Sequence, residues 1–278
     1  MKWLYSRLDG AQGGEPRLDF GQFFRFSSDA LVAYSETGEV TLAVADSFLL
    51  SEGKVRSLNA HFERFAGWVL ETAPELASQL PSYFQQVTRA LPNEGRWFPR
   101  LELHSEGEKP ELFLRLRVAP EPMDDVILWT YPDPDPRLSP TVKGPDLSLC
   151  MQLRRQAMMH KANETVLVTR DGFVSECALS SLVWWRGDVL CASDSSLPWL
   201  ESITRQEVFA IAEQMNIETR LEQVTPEQIG GLEVWLLSSL QGIKPVVHWV
   251  NQAKQPLPAG KTFEAFNKRL RMLETKVV

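Results

Sequence analysis

The sequence predicts an α+β protein of two domains, and three observations carry that expectation. Six of the 18 prolines fall between residues 119 and 140, APEPMDDVILWTYPDPDPRLSP, around one short apolar run from Val126 to Trp129. Proline at this density forbids helix and favours extended connections, so the segment reads as an inter-domain crossing that holds one strand. On either side, short apolar runs bounded by turn residues alternate with single amphipathic stretches. The expected units are a small α/β domain over residues 1–120 and a larger domain over 121–278.

The elements follow in order. FLLSEGKVRSL reads as a hairpin around Glu52-Gly53, followed by a helix whose Phe62, Phe65, Ala66 and Val69 form an i, i+3, i+4, i+7 stripe. RLELHSEGEKPELFLRLRV reads as two strands about a turn from Gly107 to Pro110. Past the crossing, a helix over roughly 147–161 precedes strands in ETVLVT, FVSECA, SLVWWR and DVLCA. A second helix sets Val208, Ile211, Ala212 and Met215 on one face. EVWLLS is the last strand, followed by QGIKPVVHW.

Composition narrows the function. The chain has 278 residues, 44% hydrophobic and 23% charged, which is ordinary for a soluble globular protein. A net charge of -7 argues against a nucleic-acid footprint. Cys150, Cys177 and Cys191 cannot all pair and lack metal-ligand spacing, which fits a reducing compartment. MKWLYSRLDGAQ has no signal-peptide stretch and no run reaches membrane-spanning length, so the expected location is the cytoplasm. His61, His104, His160 and His248 are scattered, and no metal site is expected. Walker, GxGxxG, HExxH and GxSxG motifs are absent.

One carboxylate stands out. Glu176 interrupts the apolar strand of RDGFVSECALSSLVWW, and a buried carboxylate costs several kcal/mol unless a cation or hydrogen-bond donors meet it. Around it the second half carries hydroxyl-rich loops at Ser180-Ser181, Ser202-Ile203-Thr204 and Ser238-Ser239. The middle loop opens the second helix, and Thr204-Arg205-Gln206-Glu207 fits a capping box. Free N–H groups at such a terminus suit a phosphate, although ordinary capping is the commoner explanation of this motif taken alone.

Five segments then appear in the order and spacing of a known family: HFERF at 61–65, Lys143, VTRDGFVSECALSSLVWW, SITRQEVFAIAEQM and EVWLLSSLQGIKPV. The chain resembles the class IV aminotransferases, the fold type IV pyridoxal-phosphate enzymes, from about Asp46 to Val247. That resemblance implies a two-domain fold like that of D-amino acid aminotransferase and a homodimer acting on a small amino substrate. It implies that Glu176 meets the pyridine nitrogen of pyridoxal 5'-phosphate, which would supply the missing cation. Lys143, 33 residues earlier, matches the lysine that bonds the cofactor covalently. Arg64, the backbone of Ile203 and Thr204, and Ser239 with its neighbour Ser238 match the phosphate anchors.

The departures bear on the reaction. Ser148 stands where branched-chain aminotransferases have a tyrosine, and Asp146 where other branches have an asparagine that meets the cofactor's phenolic oxygen. Ser181 replaces the asparagine after the glutamate, and Ser202 replaces a glycine. The carboxylate-binding arginine and histidine of D-amino acid aminotransferases have no counterpart in RLELHSEGE. The look of SECALSSLVWW tilts the resemblance toward aminodeoxychorismate lyase, which releases pyruvate and 4-aminobenzoate. An amino acid aminotransferase is the alternative, and a relative that binds the cofactor without catalysis is the remoter one.

Overall fold

A computed structural model describes residues 22–35, 41–105 and 109–277. The start of the chain, and part of the turn expected at Gly107–Pro110, lie outside these residues. The first sheet has five antiparallel strands in the order Ala30–Ala33, Gln22–Ser27, Glu111–Leu116, Arg100–His104 and Leu42–Ser47. Helices Leu58–Thr72 and Leu80–Ala90 cover it. The expected stripe is there in part: Phe65 and Val69 are fully buried in this core, and Phe62 and Ala66 pack against it. Side chains of this size contribute about 1.5–3 kcal/mol each when removed from water.

Eight strands form the second sheet, in the order Val174–Cys177, Glu164–Val168, Val126–Thr130, Gly242–Val250, Glu233–Ser238, Ser181–Arg186, Val189–Ser193 and Thr219–Glu222. The apolar run of the crossing is therefore a central strand, parallel to both of its neighbours. Successive residues of a strand face opposite sides of the sheet, and SLVWWR obeys this. Leu182 and Trp184 enter one core, while Val183 and Trp185 enter another with Trp235, Val208 and Phe266. Burial on both faces is why the run reads as continuously apolar. The sheet curls until its edges meet, with the Val174 N–H donating to the Val224 carbonyl at 2.8 Å.

A smaller sheet pairs Glu274–Lys276 with Lys54–Arg56, the second arm of the expected hairpin, which continues through Leu50–Ser51 to Arg96–Trp97. All three cysteines are buried and unpaired. Among the described residues no helix is long and apolar enough to cross a membrane.

Candidate active site

Three successive residues of the strand Leu42–Ser47 organise the site. The Ala45 N–H donates to the Lys143 carbonyl at 2.6 Å, which docks the loop after the crossing onto the first sheet. Gly144 makes that approach feasible. Its φ is +145°, and a Cβ there would stand 2.9 Å from both the Ala43 carbonyl oxygen and Val44 Cα. Asp46, next along, accepts from His61 Nδ1 at 2.7 Å and from Arg64 Nε and Nη2 at 2.7 and 3.0 Å. Burial alone would raise the Asp46 carboxyl, but Arg64 and His61 outweigh it and hold the group far below the carboxylate range. Ser47, the third, accepts from Arg117 Nη2 at 3.3 Å.

Arg64 Nη1 also donates to the Glu201 carbonyl at 2.7 Å. Three of its five N–H donors are thus committed, and two stay available to an anion. Next to Glu201 begins the helix Ile203–Gln214, capped by Ser202, whose Oγ accepts the Arg205 N–H at 3.2 Å. That cap leaves the N–H groups of Ile203 and Thr204 without partners inside the helix. The capping box expected at Thr204 is not formed. Glu207 turns away to accept the Ser57 hydroxyl at 2.7 Å and to pair with Arg56 at 3.4 Å. A cation at a buried carboxylate outweighs a solvent-side cap. Arg56 Nη2 also donates to Thr204 Oγ1 at 3.4 Å and to the Ser239 carbonyl at 3.5 Å, so one arginine draws together two of the expected anchors.

Glu176 is buried in the strand Val174–Cys177. Its Oε1 accepts Arg137 Nη1 at 2.6 Å and the Leu200 N–H at 2.9 Å, while Oε2 accepts no hydrogen bond from the described residues. Burial pushes its carboxyl up to about 7, with Arg137 and the Leu200 N–H opposing. Burial also works against the Arg137 charge, but Asp135, at 2.7 Å, and Glu176 more than offset it. At Lys143, burial and then the Arg64 charge push the ammonium down, favouring the neutral amine.

A cavity of about 420 Å³ joins these groups, lined by Arg64, Lys143, Glu176, Ser181 and the pair Ser238 and Ser239. Asp146 lines it too, but its Oδ2 accepts the Ser139 N–H at 2.7 Å and so braces the crossing. Ile203 and Thr204 lie beside the cavity rather than in its lining, which their neighbour Ser202 supplies. Ser238 Oγ accepts the Gln241 N–H at 3.0 Å. Asp46, His61, Arg56, Asp135 and Arg137 escaped the sequence reading. An aspartate alone in the apolar run LAVADSFLL, with a histidine and an arginine three residues apart on the next helix, was the signal for the first two.

The donor set fits a phosphorylated pyridine aldehyde. Two spare guanidinium donors and two free helix N–H groups suit the phosphate. Lys143 offers an amine of lowered basicity and Glu176 a free carboxylate oxygen. Fold and site together define a pyridoxal-phosphate enzyme. The family model described as amino-transferase class IV matches residues 43–249. The chain belongs to that family, and pyridoxal 5'-phosphate is its cofactor.

Solved structures agree at the level of the fold. A hypothetical aminotransferase from Mycobacterium tuberculosis in its PLP-bound form is 18% identical, with a TM-score of 0.72 over 91% of this chain and 98% of that one. The fold IV transaminase of Curtobacterium pusillum gives 15% and 0.71 over 90% and 97%. The branched-chain aminotransferase of Thermoproteus uzoniensis with norvaline gives 16% and 0.77 over 92% and 99%. No curated protein matches the sequence significantly.

Proposed function

We propose that Lys143 carries the cofactor and moves the proton of the amine-bearing carbon, and that the reaction is release of pyruvate and 4-aminobenzoate from aminodeoxychorismate. The observation that carries the first part is the placing of Lys143 and Glu176 on one cavity, each shifted from its ordinary ionisation. Bound pyridoxal phosphate supplies an electrophilic carbon for the amine and a ring that, once protonated, takes up the electrons of the bond broken beside it. Arg64, the N–H groups of Ile203 and Thr204, and the Ser238-Ser239 loop would hold the phosphate. Glu176 would face the ring nitrogen, with Arg137 holding the carboxylate through its Oε1. Lys143, its basicity lowered by burial and by Arg64, accepts the proton and returns it. Ser47, Arg64, Phe98 and Arg117 from the first unit wall a cavity whose Lys143 and Glu176 belong to the second, 121–278.

The run Glu176-Cys177-Ala178 supports the lyase branch. The second reading is an amino acid aminotransferase, favoured by the solved structures named above. Single-turnover spectroscopy separates them. With aminodeoxychorismate, rapid release of both products and recovery of the starting spectrum without a second substrate is the expected result. Complete conversion to the pyridoxamine form by a D- or L-amino acid, with aminodeoxychorismate left intact, establishes the aminotransferase.

A further inference from the structure

Six cationic side chains line the cavity, and most are already paired or assigned. Arg64 is held by Asp46, Arg137 by Asp135 and Glu176, and Arg100 by Glu102 at 2.7 Å. Lys143 is the proposed cofactor lysine, and Arg154 spends its Nε on the Asn163 carbonyl, with Glu164 nearby. Arg117 differs. It pairs with no carboxylate among the described residues, yet it is fixed in place. Its Nε donates to the Phe98 carbonyl at 3.1 Å, its Nη2 to Ser47 Oγ at 3.3 Å, and its guanidinium stacks 4.7 Å from the Phe98 ring centroid. The main chain holds the same pair, with the Phe98 N–H donating to the Arg117 carbonyl at 2.6 Å. Nη1 makes no hydrogen bond in the described residues.

This arrangement is costly without a counter-ion. Burial, and then the neighbouring Arg100 charge, push the Arg117 guanidinium down to about 10, which still leaves it charged at neutral pH. Glu102, whose charge reaches Arg117, is taken by Arg100, Arg115 and His104. Glu121 lines the same cavity and forms no ion pair with Arg117. The side chain lines the cavity that Lys143 and Glu176 share. Ser47, which it holds, follows directly on Asp46, which anchors Arg64, and on Ala45, which docks Lys143.

We propose that Arg117 is a specificity-determining residue that binds a carboxylate of the amino substrate, so that the enzyme selects carboxylated amines over simple ones. The inference rests on the cavity being the active site of the proposed reaction. Arginine suits the task because its planar fork presents parallel N–H donors to a carboxylate, while the Phe98 stack and two hydrogen bonds remove the cost of ordering it. The hairpin RLELHSEGE has no counterpart of such a residue. The structure supplies it just past the end of the neighbouring strand Glu111–Leu116.

Calorimetric titration of the holoenzyme with glutarate, butyrate and butyramide tests it, using wild type, Arg117→Gln and Arg117→Lys. Melting temperature and cofactor dissociation constant are measured on each protein. In Arg117→Gln the dissociation constant for carboxylate should rise tenfold or more. In Arg117→Lys, which keeps the charge and loses the fork, it should rise severalfold, with butyramide unaffected throughout. Weakening of both acids assigns Arg117 to a carboxylate that every amino acid carries. Weakening of glutarate alone assigns it to the second carboxylate of a dicarboxylic substrate. Unchanged binding in a folded variant, or no binding of either acid by wild type, overturns the proposal. Borohydride mapping of the cofactor to Lys143 is independent of these titrations, so a failure of the wider reading is distinguishable from a failure at Arg117.

Discussion

Arg137 donates to Glu176 across 2.6 Å while forking onto Asp135, so the carboxylate that faces the cavity is steadied from behind by an already paired cation. Its remaining oxygen keeps a raised proton affinity, because Arg137 does not fully offset the burial of Glu176.

This pairing sets a pH dependence. Glu176 titrates at about 7 in the folded chain against an ordinary 4.5, so without cofactor the native state binds that proton more tightly than the unfolded state. Stability therefore falls as pH rises from 4.5 to about 7 and levels off above. At about 1.4 kcal/mol per unit, the glutamate accounts for on the order of 3 kcal/mol of that loss. Urea unfolding of the apoprotein at pH 5 and pH 8 should show a smaller difference in Glu176→Gln than in wild type. In the holoenzyme the same substitution should cut turnover by orders of magnitude and weaken cofactor binding only modestly. An undiminished rate would make the glutamate structural.

Lys143 should carry the cofactor. After borohydride reduction and proteolysis, mass mapping is expected to place the pyridoxyl group on the peptide containing Lys143. Lys161, the one lysine between Lys143 and Glu176 in the sequence, lies just past the helix Leu147–Met159 with φ +61°, and an adduct there refutes the assignment.

Gly144→Ala should damage both stability and cofactor retention. The new methyl meets backbone at 2.9 Å on a segment whose φ already excludes most residues, and neither neighbour is a flexible side-chain end. A loss of about 2–3 kcal/mol in urea unfolding is expected, with a weaker cofactor dissociation constant because Lys143 is the adjoining residue. Retention of both would show that the loop can move off the first sheet.

We propose a homodimer, the state that the family resemblance implies. Sedimentation should show a homodimer of 31.5 kDa chains, and a fully active monomer would exclude one.

Much of the second half was legible in the sequence because its strands are short apolar runs separated by turns, and Lys143 and Glu176 fell in family register. The groups that tune them were not. Arg137 lies 39 positions from Glu176, inside a proline-rich segment that reads as a connection, and Asp46 lies 18 from Arg64 on a different element. Pairings of that kind are created by the docking of loops and sheets. The box at Thr204–Glu207 failed for the same reason: local chemistry named a partner, and Arg56, 151 positions before Glu207, supplied a stronger one. The helix Lys261–Met272 and the strand Glu274–Lys276 went unread because most of their residues are polar.

That last strand bears on how the protein folds. Thr275 bonds to Val55 across 220 positions of chain, which makes the small sheet one of the longest loop closures in the molecule. Contacts so remote form slowly, because the entropy of closure is spent before the pairing returns anything. On a ribosome, Lys54–Arg56 must wait with one edge bare until nearly the whole chain has emerged. Arg56, which touches both Thr204 and Ser239, stands in that waiting strand. The proposed anchor region is therefore among the last parts to become rigid, and a cofactor would meet a half-finished cradle in any chain still being made.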